Sequence, residues 1–326
     1  MWSLYWDDFD RRAEETAQAV KIGGSPPVRR VAVFITDRCN FFCKYCNHRA
    51  SGATLSQEKF ESIVERYGGG AIIHITGGEP SVVPWLYPFL RTYGGQFRFH
   101  LNTNAFIPPP AESVKRLKVS LDHFDAAYWD KLVGRSGAFD TVCGNIKRAS
   151  ELTTTTITYT LTKENFKDAP RFARFAAEQF PSLYAVFFSI YKGCNPAFAL
   201  TAEDADLFFE KVLSELETEL GPESLALIRE TIDEKRRLVG GVRFPEQSQS
   251  GVCYLSMSER VVSPQGEEFT CSHLYRDGVF LSTPMKHDKC LYGCNRRLVK
   301  FNEEVFSRIG GKDVSFLDQQ FVQADN

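Results

Sequence analysis

The chain has 326 residues, of which 43% are hydrophobic and 25% charged, and its formal net charge at pH 7 is −2. This is the composition of an ordinary globular protein that can bury a sizeable core, and the slight negative charge argues against a nucleic-acid partner. No apolar run reaches membrane-spanning length and the N-terminus has no signal-peptide pattern, so we expect a cytoplasmic protein with no membrane contact, whose nine cysteines indicate metal or redox chemistry.

Six apolar segments, rich in β-branched and aromatic residues, predict strands that are buried on both faces of a parallel sheet. They are VAVFIT (31–36), AIIHITG (71–77), FRFHLNTN (97–104), LKVSLD (117–122), TTTITYTLT (154–162) and AVFFSIYK (185–192). Helices are predicted between most of them, at 56–67, 84–93, 138–151 and 168–179. Six β/α units without a clear seventh or eighth predict an α/β fold, a partial (β/α)6 barrel over 31–195, after an N-terminal extension of residues 1–30.

The remaining sequence changes in character. Residues 202–240 have helical periodicity and many charges, which predicts two amphipathic helices within a bridge that spans 196–245. The next segment, 246–310, contains four of the nine cysteines, and we predict that it forms a small cysteine-rich C-terminal domain before a tail at 311–326.

Cys39, Cys43 and Cys46 form a C-x3-C-x2-C run directly after the first predicted strand. Three soft thiolates on one short loop suit an iron–sulfur cluster, and three ligands leave one iron open to another group. In β/α barrels, functional groups lie at the C-terminal ends of the strands, which is where this loop begins. A structural zinc site is the alternative, although zinc usually closes four protein ligands.

With Tyr45 as the aromatic residue, the C-x3-C-x-aromatic-C pattern resembles the signature of the radical S-adenosylmethionine (SAM) superfamily. The resemblance implies a [4Fe–4S] cluster on the three cysteines, with S-adenosylmethionine chelated to its open iron. It also implies reductive cleavage of the cofactor to a 5′-deoxyadenosyl radical that abstracts hydrogen from substrate. A flavodoxin- or ferredoxin-type electron donor and an open (β/α)6 barrel belong to the same expectation.

The resemblance also assigns cofactor-binding residues at the ends of the next strands. The segment Gly77-Gly78-Glu79-Pro80 corresponds to the turn that binds the methionyl amino group, and polar side chains at later strand ends correspond to the ribose and carboxylate contacts. The simpler interpretations are a glycine turn, an Asx turn, a helix cap and a solvated arginine. The residues so assigned, besides Tyr45, are Gly77, Gly78, Glu79, Pro80, Asn102, Asn104, Ser120, Asp122 and Arg135.

The C-terminal cysteines have a spacing of their own. Cys253 and Cys271 bracket a predicted Pro264–Gly266 turn between two short strands, with the glycine five residues before the second cysteine. This resembles the hairpin that opens the SPASM and twitch auxiliary-cluster domains of the superfamily. With Cys290 and Cys294, the resemblance implies one auxiliary [4Fe–4S] cluster, while a Zn(Cys)4 site remains the alternative.

The auxiliary-cluster branches oxidise, cross-link or epimerise peptides and small metabolites. We predict a radical SAM oxidoreductase that modifies a peptide or small metabolite, in natural-product biosynthesis or the maturation of ribosomally made peptides. A redox-neutral epimerase is the alternative, with Cys194 as catalytic hydrogen donor, although Cys194 has a simpler interpretation as a packed loop residue. A non-catalytic iron–sulfur or zinc protein is the alternative of another class.

Overall fold

The structure is a computed structural model, and it describes residues 3–46, 52–191, 195–219, 253–270 and 296–311. The contacts within the chain divide it into two compact units. The first unit is drawn from the stretches 1–34, 58–74 and 243–326, and the second from 35–57 and 75–242. Four of the predicted site residues, Cys194, Cys271, Cys290 and Cys294, lie outside the described residues.

The strands confirm the predicted α/β class. In the second unit the strand order is β6-β5-β4-β3, and these four strands pair in parallel. All six predicted strands are present, each within about two residues of its predicted bounds. They are β1 (Arg30–Phe34), β2 (Ile72–Thr76), β3 (Arg98–Thr103), β4 (Arg116–Ser120), β5 (Thr154–Leu161) and β6 (Ala185–Ile190).

The helices between these strands follow the predicted positions, with two additions. The four predicted helices are α2 (Gln57–Tyr67), α3 (Leu86–Tyr93), α5 (Ala138–Leu152) and α6 (Ala169–Gln179). The prediction missed α1 (Ser3–Lys21), within the segment treated as an extension, and α4 (Ala126–Val133). The sequence does mark α4, because Asp125 caps its N-terminus by accepting from Tyr128 N, and Gly134 ends it at φ 69°.

The predicted helical bridge is described in its first part only. A capping box of Thr201 and Asp204 begins α7 (Ala202–Leu207), and a π-helical turn (Phe208–Val212) leads into α8 (Leu213–Glu219). The second predicted helix lies outside the described residues. Within the described ranges, no helix has the length and apolar character needed to cross a bilayer.

The first unit has the strand order β2-β1-β7-β8, with β1 parallel to β7 and β7 antiparallel to β8. The added strands are β7 (Glu259–Val262) and β8 (Glu268–Phe269), and Gly266 at φ 85° lies in the turn predicted between them. Two further helices belong here, α9 (Leu255–Ser258) and α10 (Arg296–Arg308). The predicted domain boundary at 246 stays a prediction, and β7, beyond that boundary, pairs with β1, the first strand of the predicted core.

The core of the first unit lies between α1 and α10. Its buried members come from α1, from α9 and the residue before it, and from α10 and the residue after it: Ala13, Ala17, Val20, Tyr254, Met257, Phe301, Val305 and Ile309. Next to this core, Glu259 at the start of β7 forms ion pairs with Arg12 and Arg30. The first unit thus joins the N-terminal helix to chain segments more than 200 residues later.

Candidate functional site

The cysteine loop of the second unit is fastened to the C-terminal end of α4. Phe42 N donates to Val133 O at 2.9 Å, and Lys44 N donates to Leu132 O at 3.0 Å. The last carbonyls of a helix have no partner within the helix, so these two bonds satisfy them while fixing the loop. Phe41 anchors the same loop, because its buried ring meets Phe106 and Trp129 edge-on.

Polar contacts fix the loop from a second side. Asn40 Oδ1 accepts from Asn104 Nδ2 at 2.7 Å, and the Asn40 carbonyl accepts from Arg135 Nη1 at 3.1 Å. The Arg135 guanidinium also lies 3.9 Å from the centre of the Phe106 ring, within the range of a cation–π contact. Arg135 therefore supports the cysteine loop and does not line the cavity described next; its predicted contact with the cofactor carboxylate stays a prediction.

A cavity of about 280 Å³ lies at the C-terminal ends of the strands of the second unit. Most of the predicted cluster and cofactor residues line it, namely Cys39, Cys43, Tyr45, Cys46, Gly77, Gly78, Glu79, Asn102, Asn104, Ser120 and Asp122. Pro80 follows directly as the first residue of a short 3-10 helix and does not line the cavity. One cavity thus brings together the cysteine motif and the polar strand ends.

The turn after β2 requires both of its glycines. Gly77 has φ 141°, and a Cβ there would stand 2.5 Å from Thr36 O. A Cβ on Gly78 would stand 2.3 Å from Arg38 O. Both distances are shorter than van der Waals contact, so any side chain here would push the turn away from the chain that leads into the cysteine loop. The glycines therefore bring the backbone of this turn to the cysteine motif.

Glu79 is buried and ties the ends of β2 and β3 together. Its Oε1 accepts from Ser81 N at 2.9 Å and from Thr103 Oγ1 at 2.7 Å, and its Oε2 accepts from Asn104 N at 2.6 Å. Burial raises the pKa of Glu79, and these hydrogen bonds act in the opposite direction. The carboxylate thus holds the wall of the cavity.

Tyr45 joins the cysteine loop to the fourth and fifth strands. Its hydroxyl donates to Asp122 Oδ2, while Asp122 Oδ1 accepts from Thr160 N at 2.5 Å. Burial raises the pKa of Asp122 to about 6, and burial beside this carboxyl raises the pKa of Tyr45. The Tyr45 ring also meets Tyr191 and Phe198 edge-on, so the middle of the motif is fixed by both polar and aromatic contacts.

We expect Tyr45→Phe to lower the free energy of unfolding by about 1–3 kcal/mol, because the buried carboxylate of Asp122 loses a donor. The hydroxyl lowers the pKa of Asp122, so the loss should be larger at pH 8, where the carboxylate is charged, than at pH 5. Urea denaturation at both pH values measures it. Tyr128→Phe is the control, since the Tyr128 hydroxyl donates to Glu164 at the exposed surface. We expect this substitution to lower the free energy of unfolding by less than about 1 kcal/mol. Equal effects of the two substitutions would contradict the assignment.

Three polar atoms in the cavity wall lack a hydrogen-bond partner. Asn102 Oδ1, Thr158 Oγ1 and Trp129 Nε1 are buried and have no hydrogen-bond partner among the described residues. Such atoms are rare in folded proteins and indicate a bound group or water. Three cysteines, a close backbone turn and these atoms together fit an iron–sulfur cluster with a polar cofactor.

The spacing of the thiols bears on the zinc alternative. Among the described residues, no three His, Cys, Asp or Glu side chains are placed to hold a single metal ion. A four-iron cluster does not require such a site, because each thiolate binds a different iron.

Cys253 lies in the first unit, where Asn302 Nδ2 approaches its Sγ at 4.0 Å.

Sequence reasoning missed several residues of the cavity. Those not predicted are Phe41, Thr76, Lys118, Trp129, Val133 and Thr158. Strand alternation would have identified Lys118 and Thr158, because they share a strand face with Ser120 or lie beside it in register. Trp129 and Val133 lie on α4, the helix that the prediction missed.

Comparisons with known proteins agree with this geometry. Residues 33–176 match the family described as the Radical SAM superfamily. A probable GTP 3′,8-cyclase of Halobacterium salinarum is 30% identical over 141 residues, 37% of this chain and 39% of the cyclase. An AdoMet-dependent heme synthase of Methanosarcina barkeri is 27% identical over 182 residues, 51% of this chain and 52% of the synthase. The matches thus span about half or less of these curated relatives.

Two solved structures share the fold. Streptococcus suis SuiB bound to S-adenosylmethionine has a TM-score of 0.57 at 16% identity, covering 81% of this chain and 64% of SuiB. Native anSMEcpe with bound AdoMet and the Cp18Cys peptide has a TM-score of 0.55 at 16% identity, covering 87% of this chain and 84% of that one. At these identities the likeness establishes the fold.

Proposed function

We propose that this chain, which carries a radical SAM superfamily domain over residues 33–176, cleaves S-adenosylmethionine reductively to a 5′-deoxyadenosyl radical that abstracts hydrogen from a peptide or small metabolite. One observation carries the proposal. Cys39, Cys43 and Cys46 line the same cavity as the Gly77–Gly78 turn, at the C-terminal ends of parallel strands. That is the edge at which enzymes built from β/α units place their chemistry.

The residues of the cavity have distinct tasks in this proposal. The three thiols hold the cluster, which when bound and reduced supplies the electron that cleaves the sulfonium of the cofactor. The Gly77–Gly78 turn offers backbone groups at close approach, and the orphaned Asn102 Oδ1 and Thr158 Oγ1 offer hydrogen bonds to a polar ligand. The aromatic side chains of Phe41 and Trp129 pack beneath the loop and exclude water from that side.

The outcome of the reaction is a finer proposal. We favour an oxidative modification that uses one auxiliary [4Fe–4S] cluster on Cys253, Cys271, Cys290 and Cys294. The described part of that segment supports it, because the β7–β8 hairpin with Gly266 in its turn lies between the first two of these cysteines. SuiB has been solved with the precursor peptide SuiA, and anSMEcpe with a peptide, which favours a peptide substrate. The cyclase and heme synthase relatives keep a small metabolite as the alternative.

The test is anaerobic reconstitution with iron and sulfide, followed by dithionite and S-adenosylmethionine. We expect release of 5′-deoxyadenosine and about eight irons per chain, from two four-iron clusters. Chromatography of the nucleoside and metal analysis measure the two quantities. About four irons with normal cleavage would contradict only the auxiliary cluster, whereas zinc as the sole metal without cleavage would contradict the function. Cleavage with flavodoxin or ferredoxin in place of dithionite would support the proposed donor.

A further inference from the structure

The outer side of the cysteine loop exposes a phenylalanine. Phe41 is buried beneath the loop, whereas Phe42, the next residue, is 80% exposed. Phe42 directly precedes Cys43, so the Cα atoms of these two residues lie about 3.8 Å apart. A single exposed apolar side chain is common on protein surfaces and has no meaning alone. The residues that surround Phe42 give it one here.

These surrounding residues are basic. Two backbone hydrogen bonds hold Phe42 and Lys44 along the last turn of α4. Lys131 lies on that helix and Arg135 follows it, and all three cations are exposed. We call the four residues Phe42, Lys44, Lys131 and Arg135 the basic loop face. Two lysines and one arginine give this face a formal charge of +3, whereas the whole chain carries −2.

The acidic residues of α4 are engaged elsewhere. Asp125 caps the N-terminus of the helix, at its opposite end. Asp130 accepts hydrogen bonds from backbone N–H groups at the beginning of α5. Within the part of the chain that the structure describes, neither Lys44 nor Lys131 forms an ion pair. Arg135 contacts a carbonyl oxygen and an aromatic ring, which are both uncharged, so the positive charge of the face is not neutralised there.

We propose that the basic loop face docks the electron donor, and that this donor is a small acidic protein of the flavodoxin or ferredoxin type, with Phe42 as the apolar anchor of the contact. Protein interfaces commonly combine a buried aromatic residue with charges at the rim that steer the partner. An acidic surface on the partner complements the three cations. Electron-transfer complexes are small and transient, so a few residues can decide where the partner docks.

The place of the face suits the step that it would serve. Because Phe42 is adjacent to Cys43, a protein bound here lies against the loop that holds the cluster. In this step the reduced partner loses one electron and the cluster gains it. The inference rests on the proposed function, which requires such a donor, and it adds the charge of the partner and the surface that the partner contacts.

The first test measures binding of oxidised flavodoxin and of oxidised ferredoxin to the reconstituted protein, by isothermal titration calorimetry at low and at physiological ionic strength. We expect at least one carrier to bind, and to bind more weakly at the higher ionic strength because salt screens exposed charges. The double charge reversal Lys44→Glu with Lys131→Glu should weaken binding about tenfold or more and remove most of its salt dependence. Phe42→Ser should also weaken binding but keep the salt dependence, because no charge changes.

The second test compares two electron sources in the same variant. The readout is the rate of 5′-deoxyadenosine formation with reduced carrier, below its dissociation constant, divided by the rate with dithionite. Dithionite is a small molecule that needs no docking surface, so this ratio should fall about tenfold in the double charge reversal. Lys115→Glu is the matched control, since it reverses an exposed charge just before β4, at the strand end away from the cavity, and should keep the wild-type ratio.

Binding of neither carrier would overturn this proposal, as would wild-type affinity in the double charge reversal or an equal loss in Lys115→Glu. If anionic vesicles or RNA bound the wild-type protein through Lys44 and Lys131 while the ratio of rates stayed unchanged, the face would serve another partner and the proposal would be wrong. Failure of the proposed function is seen separately, as absence of cofactor cleavage by the wild-type protein with dithionite.

Discussion

Replacing any one of Cys39, Cys43 and Cys46 by alanine is expected to abolish formation of 5′-deoxyadenosine, a loss of at least about a thousandfold. Each thiolate holds a different iron, so two remaining cysteines leave a second iron without a protein ligand and the cluster is not retained. The fold should survive, because Phe41 and Asn40 hold the loop independently of any metal. Anaerobic reconstitution, the visible absorption of the cluster and chromatography of the nucleoside measure the effect.

Cys143→Ala is the matched control for these variants. Cys143 lies on α5 and does not line the cavity, so we do not expect it to hold the cluster. We expect this variant to keep its iron and its cleavage activity. Cleavage that persists in Cys43→Ala, or that disappears equally in Cys143→Ala, would refute the assignment of the loop as the cluster site.

Glu79→Ala is expected to lower the free energy of unfolding by about 2–4 kcal/mol, because three donors, two of them buried, lose their acceptor at once. The ends of β2 and β3 lose their connection, so S-adenosylmethionine affinity should also fall at least about tenfold. Urea denaturation and calorimetry measure the two effects. Glu112→Ala, at an exposed position of a short 3-10 helix, should change the free energy of unfolding by less than about 0.5 kcal/mol.

If Glu79→Ala changed the free energy of unfolding as little as Glu112→Ala does, the buried carboxylate would be dispensable for stability. A stable protein with weakened cofactor binding would instead place Glu79 in direct contact with the cofactor. The geometry favours a structural role over direct contact with the cofactor, since both carboxylate oxygens already accept hydrogen bonds, from Ser81, Thr103 and Asn104.

The strands of the fold could be predicted because their buried faces require continuous β-branched and aromatic runs. The turn at Gly77 and the cysteine loop could be predicted as well, since their residue types are dictated by close backbone approach and by metal chemistry. The helix α4 was missed because it has only eight residues, too few for a clear helical periodicity. The helix α1 was missed because no strand pattern precedes it.

Other features depend on contacts that a linear pattern does not contain. The partners of Glu79 lie on the next strand, 24 and 25 residues later, and no local signal connects them. The contacts of Arg135 with the Asn40 carbonyl and the Phe106 ring join residues far apart in the chain, and its predicted contact with the cofactor stays a prediction. Lys118 lies inside a strand rather than at its end, although alternation along β4 places it on the face of Ser120.

The anchoring of the cysteine loop has a consequence for biosynthesis. The loop meets Asn104, Asp122 and Arg135, which lie 64, 77 and 95 residues after their partners Asn40, Tyr45 and Asn40. At about 5–20 residues per second, a ribosome needs several seconds to make the residues between the loop and these partners. During this time the three thiols lie on a loop whose partners have not yet been made. We therefore expect delivery of iron and sulfide to be productive only after the chain has been made as far as Arg135, the last of these partners.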